Sequence, residues 1–178
     1  MKSLRNQFIS SLTIAIILIL VTIPAISMAA GGDTVVFLVR HAEKTDESQD
    51  PELSEAGRQR SRELAQLLRD AGIQHIHSTD FIRSRDTAAP LADLLGLEVE
   101  LYDWDDPAAF AQSLTNQGQR HLVVGHSNTT TKLVELLGGD PGTEIEHSGE
   151  YDRLYVLTID SSGRATVILI RYGKPFTQ

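Results

Sequence analysis

The chain has 178 residues, 41% hydrophobic and 22% charged, and contains no Cys. Its net charge of −8 grows two units more negative once the N-terminal segment with Lys2 and Arg5 is set aside, which argues against nucleic acid as the main partner but leaves room for a local basic pocket and an anionic substrate. The absence of Cys excludes disulfides, zinc–thiolate sites, a Cys nucleophile and a lipidated Cys anchor.

Residues 1–30 read as a secretory signal peptide. Lys2 and Arg5 form a positive start with no acid nearby. Phe8 to Ile23 is an apolar run diluted by Ser10, Ser11, Thr13 and Thr22; Pro24 ends it, and Ser27-Met28-Ala29 supplies small residues ahead of a cleavage point near Ala29 or Ala30. The run falls just short of a full membrane span, so contact with a membrane is expected only through this segment if it stays uncleaved. The expectation is an exported protein, periplasmic or extracellular, whose mature part is one domain over 31–178, long enough for a real core and short for two.

Beyond the signal, apolar runs alternate with amphipathic stretches. Thr34 to Val39 is continuously apolar after its first residue, as in a strand buried on both faces. A polar loop, 46–51, precedes a helix capped by Ser54, with Leu64, Leu67, Leu68 and Ala71 at helical spacing and Gly72 as its stop. His75 to Thr79 is a short strand, Ala88 to Leu95 a helix with Pro90 as a kink or second start, and Glu98 to Tyr102 a third strand. Asp106-Pro107 opens a helix to about Gln117. His121 to Gly125 is a strand, Thr130 to Leu137 a helix closed by Gly138-Gly139, and Arg153 to Ile159 and Ala165 to Tyr172 are strands around the turn Ser161-Ser162-Gly163. The alternation predicts a three-layer α/β/α sandwich with a mainly parallel sheet.

In such sheets, ligands bind beyond the carboxyl ends of the strands. Arg40 and His41 end the first strand, Arg83 follows the second, and His126 ends the fourth. Four residues suited to phosphate chemistry therefore meet on one rim. Two guanidinium forks can hold the oxygens of a phosphate monoester. One neutral imidazole can attack phosphorus and another can donate a hydrogen bond, while the helix after His126 turns its N-terminal amides to the same rim. Imidazoles titrate near about 6.5 in water, which predicts a bell-shaped rate between mildly acidic and neutral pH, with His41 neutral and His126 protonated.

Four stretches resemble a family. Leu38-Val39-Arg40-His41-Ala42-Glu43-Lys44 is similar to the Arg-His signature of the histidine phosphatase superfamily, the phosphoglycerate mutase-like fold. Leu53-Ser54-Glu55-Ala56-Gly57 resembles that family's opening of the first helix, the stretch Ser78 to Ala88 its second-arginine motif, and Val123-Val124-Gly125-His126-Ser127-Asn128 its second-histidine motif. The resemblance covers residues 34 to about 172 and makes 31–178 a histidine phosphatase domain. It implies a phosphomonoester hydrolase in which His41 is the nucleophile, forming a phosphohistidine that water hydrolyses, while Arg40, Arg83 and His126 bind the phosphoryl oxygens. It implies no metal and no cofactor; the partner is a small phosphorylated substrate, and the oligomeric state is left open.

The chain departs from the mutase pattern. Thr45-Asp46-Glu47 stand where mutases carry a Trp-Asn pair, no mutase-type acid follows the second motif, and Ser127 stands where the acid phosphatase branch has Asp after its second His. This leaves the proton donor to be found; Asp103 and Asp105, in the loop after the third strand, are the candidates, since an N-cap role already explains Asp106. Two other readings fit parts of the sequence: a non-catalytic phosphate-binding module of the same fold, and a serine hydrolase using Ser127 in an incomplete nucleophile elbow that Thr129 breaks. Arg85 is expected to be solvated or salt-bridged and His121 structural. His75 and His77 share a strand face without an evident third metal ligand. His147 is a possible recruit to the rim, and Glu43 and Lys44 would touch substrate or pair with each other.

Overall fold

Along β1 (Thr34–Arg40), Val35, Phe37 and Val39 point to one apolar cluster and Val36 and Leu38 to another, so one strand supplies two cores. The computed structural model describes residues 32–115 and 118–177; the expected signal segment at 1–30 and the expected helix end at Gln117 lie outside the described residues. On one face, Leu64, Ala65 and Leu68 of α1 (Glu55–Leu68) and Ala88, Leu91 and Ala92 of α2 (Ile82–Leu95) cover the sheet. On the other, Ala111 and Leu114 of α3 (Pro107–Thr115) and Leu133 and Val134 of α4 (Ser127–Leu136) do so. Each fully buried Val or Leu contributes roughly 1.5–3 kcal/mol to this packing. The three layers are those expected.

The sheet is mixed rather than mainly parallel. With β2 (His75–Ser78), β3 (Val99–Leu101), β4 (Arg120–Gly125), β5 (Arg153–Ile159) and β6 (Ala165–Arg171), its order is β3-β2-β4-β1-β5-β6. The first four strands are parallel, while β5 runs antiparallel to β1 and β6 antiparallel to β5. The reason is the connections. No helix intervenes between β5 and β6, and a tight turn with Gly163 at φ 82° can join only antiparallel strands. Because β1 and β4 are neighbours whose following helices leave to opposite faces, a crevice opens between their carboxyl ends.

Two helices start earlier than the sequence suggests. α2 begins at Ile82, not Ala88, and runs through Pro90, which removes one donor without ending the helix. α4 begins at Ser127, not Thr130, because His126 takes an extended N-cap conformation and its N–H donates to Thr129 Oγ1 at 2.8 Å.

Helix α1 is docked onto the segment just after His41. Ser54 caps it, accepting from the Gly57 N–H at 3.1 Å, while the Ser54 N–H donates to the Glu43 carbonyl at 2.9 Å. A Cβ on residue 57 would lie 2.1 Å from that same carbonyl, so only Gly permits the approach. At the end of β4, a Cβ on residue 125 would lie 2.7 Å from Thr129 Oγ1. Glu43 does not pair with Lys44. Its carboxylate receives the buried Arg60 guanidinium at 2.8–3.0 Å, and Arg60 also donates to the carbonyls of Tyr172, at 2.7 Å, and Lys174, at 2.8 Å. Lys44 pairs instead with Glu47, and Arg85 with Asp80, as a salt-bridged residue should.

His75 and His77 acquire a third imidazole from β4. The rings of His75, His77 and His121 stack 5.2–6.1 Å apart, His77 Nε2 and His121 Nδ1 lie 3.1 Å apart, and Glu100 meets His75 at 2.8 Å. Among the described residues no such group is arranged to hold a metal ion; these rings bond to one another. Burial pushes both His77 and His121 down to about 4. A histidine whose folded pKa lies below its unfolded value near 6.5 adds a stability term present at neutral pH, which is lost as pH falls from about 6.5 toward 4. We therefore expect the urea unfolding free energy to fall by several kcal/mol between pH 7 and 5. His121→Asn should make that dependence shallower, the other buried histidines keeping the rest of it; an unchanged slope in the variant would contradict the assignment.

Candidate active site

All four rim residues line one cavity of about 240 Å³ at the carboxyl ends of β1, β2 and β4. Arg40 and His41 come from the end of β1, Arg83 from the first turn of α2, and His126 from the N-cap of α4. Lys44, Phe81, Trp104, Ser127, Asn128 and His147 complete the wall. No described side chain in it is a carboxylate.

His41 is 4% exposed, and its ring centroid lies 5.4 Å from that of His126. Its Nδ1 is 2.8 Å from the Ala42 carbonyl, an acceptor only, so Nδ1 carries the proton and the Nε2 lone pair is left free. Burial, then the charges of Arg40, His126 and Arg83, outweigh the Ala42 bond and push this imidazole down to about 3. His126 Nε2 lies 3.1 Å from Thr79 Oγ1, and burial with the neighbouring Arg83 and Arg40 pushes this ring down to about 4. The expected pair of imidazoles titrating near neutrality is therefore corrected. Both rings are desolvated beside two guanidinium groups, and both are neutral at pH 7.

Arg40 is 1% exposed. Its Nη1 donates to the carbonyls of Glu146 and Glu150, each at 3.0 Å, and its Nη2 to that of His147 at 2.8 Å. A guanidinium has five N–H groups. Three are thus used, and the two that remain, on Nε and Nη2, form one side-on fork; Nε is buried without a partner among the described residues. Arg83 Nε is likewise buried and unpartnered, with Nη1 held at 3.3 Å from the Gln49 carbonyl and 3.6 Å from Asp50. Unsatisfied buried donors beside two neutral imidazoles suit an anion. Thr87 ties the two arms together: its Oγ1 accepts the Ala42 N–H at 2.9 Å and donates to the Arg83 carbonyl at 2.7 Å.

The carbonyls that hold Arg40 belong to a loop with its own frame. Glu150, almost fully buried, receives Arg153 at 2.7 Å, Arg171 at 2.6 Å and the Glu146 N–H at 2.8 Å. Burial alone would raise the Glu150 carboxyl, but these bonds prevail and hold it down at about 2. Arg153 also donates to the carbonyls of Thr143 and Glu144, so residues 143–150 are stitched from both sides.

Several site residues escape sequence reasoning. Tyr151 lies under the Arg40 guanidinium at 4.1 Å, and Phe81 packs edge-on to His126 at 5.0 Å and under Arg83 at 4.4 Å. Trp104, 41% exposed, forms the outer wall. The two carboxylates expected as proton donors are elsewhere. Asp103 and Asp106 border a separate depression next to Phe110, neither Asp103 nor Asp105 lines the cavity, and Asp103 Oδ1 accepts the Asp105 N–H at 2.9 Å. The loop turns Trp104 inward instead. Asp106 accepts the Ala109 N–H at 3.1 Å, the N-cap role expected of it.

Residues 36–104 match the model of the histidine phosphatase superfamily, branch 1. A protein from Erwinia tasmaniensis named as a probable phosphoglycerate mutase, GpmB, is 37% identical over 73 residues, which is 37% of this chain and 34% of that protein. The chain thus matches about a third of the length of this curated relative. Among solved structures, a protein histidine phosphatase SixA complexed with tungstate superposes with a TM-score of 0.63 at 24% identity, covering 77% of this chain and 96% of that one. A mycobacterial glucosyl-3-phosphoglycerate phosphatase gives 0.62 at 17% identity, covering 79% and 100%. A phosphoserine phosphatase from Entamoeba histolytica, in complex with phosphoserine, gives 0.58 at 17%, covering 78% and 95%. The family model thus matches the segment that carries Arg40, His41 and Arg83, and these solved structures share the fold of this chain.

Proposed function

We propose that the protein is a phosphatase that works through a phosphohistidine on His41. The observation that carries this reading is the convergence of a neutral, Nε2-free His41 with two guanidinium groups and His126 in one cavity. The Nε2 lone pair attacks phosphorus, the bond to the leaving oxygen breaks, and Nδ1–H stays on the Ala42 carbonyl. Water then attacks phosphorus, the N–P bond breaks, and inorganic phosphate leaves. Arg40, Arg83 and His126 bind the phosphoryl oxygens, where charge neutralisation and positioning do most of the work in phosphoryl transfer. The fold does not select the leaving group, since the solved relatives bear the names of phosphatases for quite different substrates. Phosphate release from p-nitrophenyl phosphate, with trapping of an acid-labile, base-stable phosphoryl group, tests the reading. Binding of phosphate without turnover would favour a non-catalytic module.

The serine hydrolase alternative gains little from the Ser127 contact with His147, 3.2 Å from Oγ to Nδ1. Ser127 is the first residue of α4 rather than the tip of a strained elbow, and no described carboxylate bonds to His147.

We also propose that the protein acts outside the cytoplasm, on the strength of the charged start, apolar run and small-residue site in residues 1–30. N-terminal sequencing of the protein from the envelope fraction should begin near Ala30 or Gly31; an intact Met1 on cytoplasmic protein would refute it.

A further inference from the structure

Among the described residues the cavity wall holds no carboxylic acid, yet expelling an alkoxide needs a proton. Resting on the phosphatase reading above, we propose that His147 is the proton donor to the leaving group. Four candidates compete for this role. Lys44 is engaged by Glu47. Glu47 is fully exposed, and its bond from Lys44 holds its carboxyl below the usual range, so it is ionised and has no proton to give. His126 stands beside His41 with Thr79 and Phe81 around it, and is placed to bind phosphoryl oxygens. His147 differs from all three. Its side chain lies in the outer wall, exposed to solvent, with Nδ1 on Ser127 Oγ and Nε2 without a partner among the described residues.

The surrounding structure is built to hold it there. The His147 carbonyl receives Arg40 at 2.8 Å, and the carbonyls of Glu146 and Glu150 receive the same guanidinium. The buried Glu150–Arg153 pair fixes the rest of the loop. One arginine therefore sets both the phosphoryl position and the backbone of the donor, the kind of positioning on which acid catalysis depends. The charged groups that share a cavity or depression with the imidazole are Arg40 from β1, Lys44 from the loop after it, Arg83 on α2, Lys132 and Glu135 on α4, and Glu144 on its own loop, with Glu47 near enough to feel its charge.

The step balances. Imidazolium His147 gives its Nε2 proton to the leaving oxygen as the P–O bond breaks, becoming neutral. The neutral ring then takes a proton from the water that attacks phosphohistidine, and is reset.

The test compares wild type, His147→Ala and His147→Asn on glycerol phosphate and p-nitrophenyl phosphate across pH 5–9. General acid catalysis contributes about 10²- to 10⁴-fold, and a phenolate needs far less of it than an alkoxide. Both variants should lose at least about 100-fold in kcat on the alkyl ester and at least 30-fold less on the aryl ester. The ratio of the two losses, rather than either rate alone, is the readout, because a merely structural defect would lower both esters alike. Equal losses on the two esters would overturn the proposal. So would a wild type that hydrolyses the aryl ester alone, and in that case the phosphatase reading still stands. A wild type that hydrolyses neither ester would overturn the phosphatase reading itself.

Discussion

His41→Ala is expected to lower turnover of p-nitrophenyl phosphate on the order of 10⁴-fold or more, the scale seen when a covalent nucleophile is removed. The same variant should carry no acid-labile phosphoryl label after brief reaction, because the bond-forming nitrogen is gone. The wild type should show no loss of nucleophile between pH 8 and 5, since burial and the two guanidinium groups keep His41 neutral down to about 3. An acidic limb in that window then reports either protonation of the substrate, whose second ionisation lies near about 6, or the buried histidines of the fold. Label on Ser127, or substantial activity in His41→Ala, would refute the assignment.

Arg40→Ala should fail in two ways at once. It removes the Nε–Nη2 fork, two charge-assisted bonds of roughly 1.5–3 kcal/mol each, for a rate loss of about 10²- to 10⁴-fold. It also leaves the carbonyls of Glu146, His147 and Glu150 without their donors, at about 1–3 kcal/mol for each that stays buried. Arg83→Ala shares the first loss but not the second, because Arg83 makes a single long bond to a loop carbonyl. Urea denaturation separates the two variants: Arg40→Ala should be the less stable by at least about 2 kcal/mol. Equal stability would mean that the loop stands without Arg40. Arg40→Lys should not restore either property, since an ammonium cannot present the fork.

The meeting of Arg40, His41, Arg83 and His126 at one cavity was legible in the sequence because each ends or follows a strand, and parallel strands bring their carboxyl ends to one rim. The direction of β5 was not, because a strand's apolar pattern is the same whichever way it runs. The polar stretch 140–152 hides the return path. The early start of α2 was masked by Pro90, whose local effect reads as a break while tertiary packing carries the helix through it. The start of α4 was masked by Thr129, a β-branched residue just ahead of the expected helix, whose Oγ1 instead accepts the His126 N–H. Neutral His126 could not be foreseen, since desolvation belongs to the assembled cavity and not to any residue. Trp104, Tyr151 and the loop around His147 approach the rim from distant parts of the chain, and no spacing announces them. His147 itself was legible only as a histidine in a polar loop.

The Arg60 clamp joins residues from both ends of the domain. Glu43, two residues beyond His41, is held by a guanidinium that also grips the carbonyls of Tyr172 and Lys174. The tail after β6 is therefore a strut of the segment that carries His41 rather than a trailing end. During evolution, a residue gained or lost between Arg171 and Lys174 shifts those carbonyls off the guanidinium, and the disturbance arrives two positions from His41. Length variation in this lineage should accordingly be tolerated at the Ser161–Gly163 turn and suppressed in the few residues after β6.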